Sequence, residues 1–355
     1  MHCTHDRRLG GARSVTLLAV FAAVFALALV PAVQVRAADE GAWLKGQTVH
    51  FVVGYSAGGG YDTYARMLAP FFEKHTGATV VVENKPGGGG MTATNQLVRG
   101  KPDGLTMQVL NGESAIMWQL VGETGVAYDM RKVSILAGIQ HEPHFMLVNP
   151  KLPDSLKDIV ASGKKIKFVA TRRVDNLGDY AAALCEALKM NCQIITGYKG
   201  SKGASLAMMS GEADALTISE SSGLHYASGG RSKIIATIGH QRSEFEPKIS
   251  TVYEMFPKVT AAQWWPVDTR LKAKTTGRCL IGPPGIPAAH LAYLQKVWKD
   301  VLTDPAVIAQ GKKLKHEVHY SPPSQLQGAI KELLQDMSQS DRDRMKEILT
   351  KKFAS

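Results

Sequence analysis

Short apolar runs alternate with helix-period segments along most of this chain, and few architectures accept that pattern. Residues 48–53 read as a buried strand, residues 80–82 as a second and residues 105–110 as a third. Between them, Tyr64, Met67, Leu68 and Phe71 share one face of a helical pattern, and residues 91–99 read as a helix. The rhythm returns with strands at 167–170, 193–195, 215–218 and 234–238 and helices at 177–190 and 204–209. Strands alternating with helices predict a parallel sheet covered by helices on its faces. Residues 133–150 are apolar without a helical pattern and read as strands crossing from one domain to the next. A second crossing is expected at 264–280, followed by a helical tail over 288–302, 325–337 and 342–353.

The first residues address the chain rather than fold it. Arg7, Arg8 and Arg13 precede residues 15–30, which carry no charge, then Pro31 and the small-residue site Val35-Arg36-Ala37. That is the pattern of a secretory signal peptide over residues 1–37. The apolar run falls short of the roughly 20 residues a spanning helix needs, which weighs against a retained membrane anchor. Removing four Arg and one Asp with this segment lowers the formal net charge from +11 to +8. The chain left behind is too long for one core of usual size, so two domains are expected: 38–147 with 265–355, and 148–264. Lys and Arg are scattered without an aromatic-interleaved stripe, so no nucleic-acid partner is expected. A periplasmic protein whose field favours anionic ligands is. In that oxidising compartment Cys185 and Cys192 could form a disulfide with Cys279 left as a buried thiol; three packed thiols are the alternative.

The loop Gly54-Tyr55-Ser56-Ala57-Gly58-Gly59-Gly60-Tyr61-Asp62 carries the most chemical information. It joins a buried strand to a helix. Its glycines allow close approach of a ligand to backbone N–H groups at a positive helix end, which suits a carboxylate or phosphate. A plain tight turn with Asp62 as N-cap is the simpler alternative. The same residues satisfy G-x-S-x-G, the nucleophile elbow of α/β-hydrolases, with Ser56 as nucleophile. Against that reading, no earlier strand supplies an oxyanion loop. The spacing is neither a dinucleotide fingerprint nor a P-loop, so no cofactor is expected. His141-Glu142-Pro143-His144 lacks the spacing of a zinc helix, and His316 and His319 read as solvated, so no metal is expected. The basic loop containing Tyr198, Lys199 and Lys202 could meet an anion or simply be solvated. Arg172 or Arg173, at the end of a strand, could clamp a carboxylate.

Taken together, the run Val52 to Arg66, Val82-Glu83-Asn84-Lys85-Pro86-Gly87-Gly88-Gly89-Gly90, Pro102-Asp103-Gly104, Tyr198-Lys199-Gly200 and Gly211-Glu212-Ala213-Asp214 resembles the substrate-binding receptors of tripartite tricarboxylate transporters, the Bug-type periplasmic proteins. The resemblance implies an α/β, two-domain periplasmic binding protein-like (type II) fold that closes a hinged cleft on one small organic acid. It also implies a monomer that hands its ligand to a membrane permease, with no catalytic residue; an extracytoplasmic sensing module would share the fold. By position, Tyr55, Ser56, Ala57, Gly58, Gly59, Gly60 and Asp62 inherit the ligand loop. Glu113, Ser114, Thr171, Arg172, Tyr198, Ser219 and Glu220 inherit the rest of the lining. Thr171-Arg172-Arg173 stands where the family usually has a small Gly/Ser-rich segment, which suggests a ligand with a second acidic group or a bulkier one.

Overall fold

The computed structural model describes residues 40–353 apart from His141, Lys199 and Glu317. The expected signal peptide, His141 of the histidine-rich run and Lys199 of the basic loop therefore lie outside the described residues. From Trp43 onward the chain forms one compact unit.

Among the described residues, ten strands make two five-stranded sheets. The first contains β1 (Thr48–Val53), β2 (Thr79–Asn84), β3 (Thr106–Asn111), β4 (Ser134–Gln140) and β10 (Arg278–Gly282), in the order β2-β1-β3-β10-β4. The second contains β5 (His144–Val148), β6 (Ile166–Val169), β7 (Cys192–Ile195), β8 (Ala215–Ser219) and β9 (Lys233–Ile238), in the order β7-β6-β8-β5-β9. The chain thus changes sheet between Gln140 and His144 and returns between Ile238 and Arg278.

Neither sheet is wholly parallel, which corrects the simplest reading of the alternation. β1 runs parallel to β2 and β3, and β6 parallel to β7 and β8, as strand–helix–strand units require. β10 pairs antiparallel with β3 and β4, and β5 antiparallel with β8 and β9. The reversed strands β5 and β10 are those by which the chain enters a sheet from the other one. A strand arriving that way needs no helical crossover, so nothing forces it into the parallel direction.

The helix Gly60–Thr76 buries Tyr64, Met67, Leu68 and Phe72 against β1, and Phe51 and Phe72 pack on Trp298 of the helix Ala288–Thr303. Gly77, in the left-handed conformation, ends the first of these helices. The helix Ala261–Lys274 opens with a capping box between Thr260 and Gln263. It packs on both the helix Gly178–Ala187 beside the second sheet and the helix Gly112–Val121 beside the first. The tail behaves similarly: residues 323–331 pack on β4, while Phe353 accepts a backbone hydrogen bond from Ile194. Cys185 and Cys192 form a disulfide that ties the helix Gly178–Ala187 to β7, and Cys279 is a buried free thiol. Burial pushes the Cys279 thiol up to about 12, so it stays protonated as a packing group.

Candidate functional site

The loop after β1 keeps Ser56, Ala57, Gly58 and Gly59 exposed, with Gly60 half-buried as the first residue of the helix. Gly58 sits at φ +80°, a conformation that favours glycine. Behind it, a Cβ on Gly54 would stand 2.7 Å from the Cα of Gly90, so this loop and the second glycine run touch backbone to backbone. Asp62 lies inside the first helical turn; the N-cap position is Gly59, which offers no side chain. The buried Asp62 carboxylate accepts hydrogen bonds from the Gly58 N–H at 2.8 Å and from Arg66 Nε at 3.0 Å. Burial raises its pKa, but Arg66 and the Gly58 amide outweigh that and hold it below the usual value. Tyr55 stacks on Tyr61 with ring centroids 4.6 Å apart and accepts a hydrogen bond from Asn111 Nδ2 at 3.3 Å.

Beside this loop runs a seam where the two sheets meet. Glu113, buried in the first turn after β3, accepts hydrogen bonds from Tyr180 Oη at 3.0 Å and pairs with Arg270 Nη2 at 3.0 Å. Asn111 caps the helix by accepting the Ser114 N–H on its Oδ1, and Ser114 donates its hydroxyl to Asn176 Oδ1 at 2.8 Å. Arg270, wholly buried, also lies 2.9 Å from Asp179 Oδ2 and donates to Asn176 Oδ1. Arg278 donates to Gln140 Oε1 at 2.7 Å and to Glu142 Oε1 at 2.5 Å, and its guanidinium lies over the rings of Tyr61 and Tyr64. A Cβ on Gly60 would stand 3.2 Å from Arg278 Nη2, so the ligand-loop helix begins against this pair.

On the second-sheet side, Thr171 donates its hydroxyl to Asp175, which also accepts from the backbone N–H groups of Arg172, Leu177 and Gly178. Arg172 reaches across the seam to the Gly88 carbonyl at 2.8 Å and to Glu123 Oε1 at 2.8 Å, over the face of Trp118. The side chain expected to clamp a ligand is thus paired within the protein. Ser219 occupies the N-cap position of the helix Glu220–Ala227 without a side-chain capping bond, and the Glu220 N–H donates to the Pro143 carbonyl at 2.9 Å. Ser221 donates both its N–H and its hydroxyl to Glu142, which fastens this end of the second sheet to the first crossing. Tyr198 donates to Glu212 at 2.5 Å, a contact local to the second sheet.

Burial raises the Asp175 carboxyl to about 6 despite its backbone donors. It raises Asp179 to about 7 against the pull of Arg270, with Asp175 adding repulsion. Burial pushes the His144 imidazole well below its ordinary value, and Arg270 adds to the effect. Arg278 and the Ser221 donors outweigh burial at Glu142 and hold its pKa low.

Of the residues expected at the site, Tyr55 to Gly60, Asp62, Glu113, Ser114, Thr171, Arg172, Ser219 and Glu220 all lie on the loop or along the seam. The residues not anticipated are Tyr61, Asn176, Asp179, Tyr180, Glu142, His144, Arg270 and Arg278. The last carries a usable signal, because an arginine beside the apolar run Cys279-Leu280-Ile281 is costly to bury without a purpose. Among the described residues no group of His, Cys, Asp or Glu could hold a metal ion. Within the histidine-rich run, Glu142 serves Arg278 and Ser221, while His144 stacks on Tyr180. His316, expected to be solvated, is half-buried against Tyr64.

An α/β chain passing twice between two sheets, with an exposed glycine loop at the carboxyl end of β1 beside their seam, defines the architecture of a two-domain solute-binding protein. The chain belongs to the family described as "Tripartite tricarboxylate transporter family receptor", which it matches over residues 64–349. It is 26% identical to Protein BugT of Bordetella pertussis over 62% of this chain and 69% of that protein. A UPF0065 protein of Bordetella bronchiseptica is 23% identical over 79% of this chain and 80% of its own. Solved structures share the fold. The periplasmic binding protein BugD superposes with a TM-score of 0.68 at 22% identity, covering 86% of this chain and 97% of that one. MatC from Rhodopseudomonas palustris, with bound malate, gives 0.66 at 18% identity over 85% and 99% of the two chains. A second R. palustris protein, with adipate, gives 0.70 at 16% identity over 84% and 97%.

Proposed function

We propose that this chain is a periplasmic receptor that holds a small organic acid between two closing lobes and presents it to the membrane permease of a tripartite tricarboxylate-type transporter. The observation that carries this reading is the exposed backbone of Ser56–Gly59 at the start of a 17-residue helix. Helix N-termini attract anions, and a buried carboxylate needs each oxygen hydrogen-bonded to offset several kcal/mol of desolvation. The malate and adipate in the two R. palustris structures are consistent with it. The lobes in this reading are the two sheets, hinged on the segments joining Gln140 to His144 and Ile238 to Arg278; the boundary expected at 147 moves back to the first of these segments, because β5 (His144–Val148) lies in the second sheet. Ligand bridging both lobes selects the closed form.

The chain acts as a monomer, without cofactor or nucleic-acid partner, and exports through residues 1–37. No described helix is long and apolar enough to cross a membrane. A thermal-shift screen against malate, adipate and other small acids tests the reading. A ligand at 100 times its Kd stabilises by about 2.7 kcal/mol. No shift with any acid, together with cleavage of an ester that Ser56→Ala abolishes, would establish the hydrolase reading instead.

A further inference from the structure

The two segments that hinge the lobes leave each sheet from one side. Gln140 ends β4 and Arg278 begins β10, which are neighbours at one edge of the first sheet. His144 begins β5 and Ile238 ends β9, neighbours at one edge of the second. β2 forms the opposite edge of the first sheet, three strand spacings of about 4.8 Å from β10. β6 lies on the far side of the second sheet, two spacings from β5. Loops that follow β2 and β6 are therefore among the points that part furthest when the lobes turn about their hinge.

Across that far side the chain makes a clasp. Arg172, just past the end of β6, donates from Nη1 to the Gly88 carbonyl at 2.8 Å and from Nη2 to Glu123 Oε1 at 2.8 Å. Its guanidinium carbon lies 5.6 Å from the centre of the Trp118 ring. Trp118, 1% exposed, holds the same turn a second time, because its Nε1–H donates to the Val174 carbonyl. A Cβ on Gly89 would stand 3.3 Å from Trp118 Cζ2 and 3.6 Å from Arg172 Cδ, so the second glycine run leaves the room that the clasp fills. Gly88, Trp118 and Glu123 belong to the first lobe, and Arg172 and Val174 to the second. Each of these contacts breaks when the lobes part.

We propose that Arg172 is a latch that holds the lobes shut through Gly88, Glu123 and Trp118, and that it sets affinity for the acid by closing the receptor rather than by touching the acid. The proposal rests on the two-lobed receptor reading above. Bonds made only in the closed form shift the closure equilibrium by a fixed factor. An acid that binds the closed form gains that factor whatever its own structure, because apparent affinity scales with the closed fraction. The Arg172 and Glu123 side chains are 29% and 26% exposed, so solvent screens the pair and keeps the factor modest. A clamp on the acid would act differently, favouring those acids whose second carboxylate it reaches.

Calorimetric titration of the protein with malate, succinate and adipate separates the two roles. Arg172→Gln and Glu123→Gln, each checked for native circular dichroism, should weaken every acid that binds by a common factor of about three to ten. The double variant should bind no more weakly than Arg172→Gln alone, since Glu123 acts only through Arg172. Arg172→Lys keeps the charge but not the fork that spans both acceptors, and should fall between Arg172→Gln and the natural chain. Small-angle scattering without acid should show both neutral variants to be more extended than the natural chain. Glu123→Gln alters only a partly exposed side chain, so it carries the test even where Arg172→Gln does not fold. A Glu123→Gln protein that binds as before, or more tightly, overturns the latch, and so does a loss in Arg172→Gln confined to one acid. Unchanged compactness in both variants overturns it as well. Failure of every acid to bind the natural protein overturns the receptor reading instead, and scattering then still decides whether Arg172 holds the lobes together.

Discussion

At the end of β1 the chain turns outward through four exposed residues, three of them with no side chain beyond a methyl. At the end of β6 it turns through Ala170 to Leu177 and folds a carboxylate of its own into the turn. Both are strand–loop–helix junctions on the rim of a parallel strand pair, where ligands of open α/β sheets bind. The first uses one amide, that of Gly58, on Asp62, and neutralises Asp62 within the same helix through Arg66. The second spends three backbone N–H groups and the Thr171 hydroxyl on Asp175. It then adds Asp179, whose cation, Arg270, comes from a distant helix. The contrast teaches that junction geometry does not by itself make an anion site. A junction that commits three amides to its own carboxylate has answered the helix dipole already, while the one that commits only the Gly58 amide to Asp62 keeps its remaining amides for a ligand.

Removing Arg270 gives the largest effect expected from this contrast. Arg270→Met leaves Glu113 and Asp179 buried without their cation, and breaking one side of a buried pair costs about 3–5 kcal/mol. Arg66→Met should cost less than 1 kcal/mol, because Arg66 is exposed and its pairing with Asp62 is screened. Chemical denaturation of both variants measures the gap. Equal costs would mean that the two junctions compensate charge in the same way.

Acidity probes the same carboxylates next. An acid that titrates higher in the folded state lends stability that is complete below its unfolded pKa and is lost as pH rises through the folded one. For Asp179 that window runs from 3.8 to about 7, and for Asp175 from 3.8 to about 6. His144 works in the opposite sense: its depressed pKa lends stability above the ordinary 6.5 that is lost as pH falls. Comparing Asp179→Asn with the natural chain cancels the other groups. The melting temperature of the variant should gain on that of the natural chain between about pH 4 and about pH 7. A difference that does not change with pH would show that Asp179 is ionised throughout.

Local features of both junctions were legible in the sequence, and their partners were not. β1, its glycine loop and the following helix announce themselves through adjacent residues, and each lies where the pattern predicts. Asp175 shows no such signal, because its role depends on a loop closing back on itself. Arg278 and Glu142 are 136 residues apart, and Arg270 reaches Asp179 from the segment by which the chain leaves the second sheet. The reversed strands β5 and β10 were hidden for the same reason, since strand direction follows from which sheet a segment enters. Arg172 illustrates the converse. Its position at a strand end suggested a ligand, whereas its partner within the protein, Glu123, stands in an unremarkable stretch of sequence.

Emptying the second junction should cost less than removing Arg270. Asp175→Ala strands three buried or half-buried N–H groups, at about 1–3 kcal/mol. If an internal carboxylate is what closes this junction to outside anions, acetate should recover part of the lost stability in the variant and none in the natural chain. Equal acetate response in both would indicate that the turn is held by packing instead.

The smallest effect belongs to the open junction. Gly58→Ala meets no neighbouring atom within 4 Å, so sterics do not resist it, yet the backbone there sits at φ +80°. The left-handed conformation costs an alanine about 1–2 kcal/mol, so stability should fall by about that amount or less if the exposed turn relaxes. Relaxation is the informative outcome, because it trades stability for geometry. A loop that shifts to relieve the strain moves the amides of Ser56–Gly60, so acid affinity should drop even where the melting temperature barely changes. An unchanged affinity in a destabilised Gly58→Ala protein would mean that the strain is borne without moving the loop, and that the position of Gly58 itself is not part of the seat.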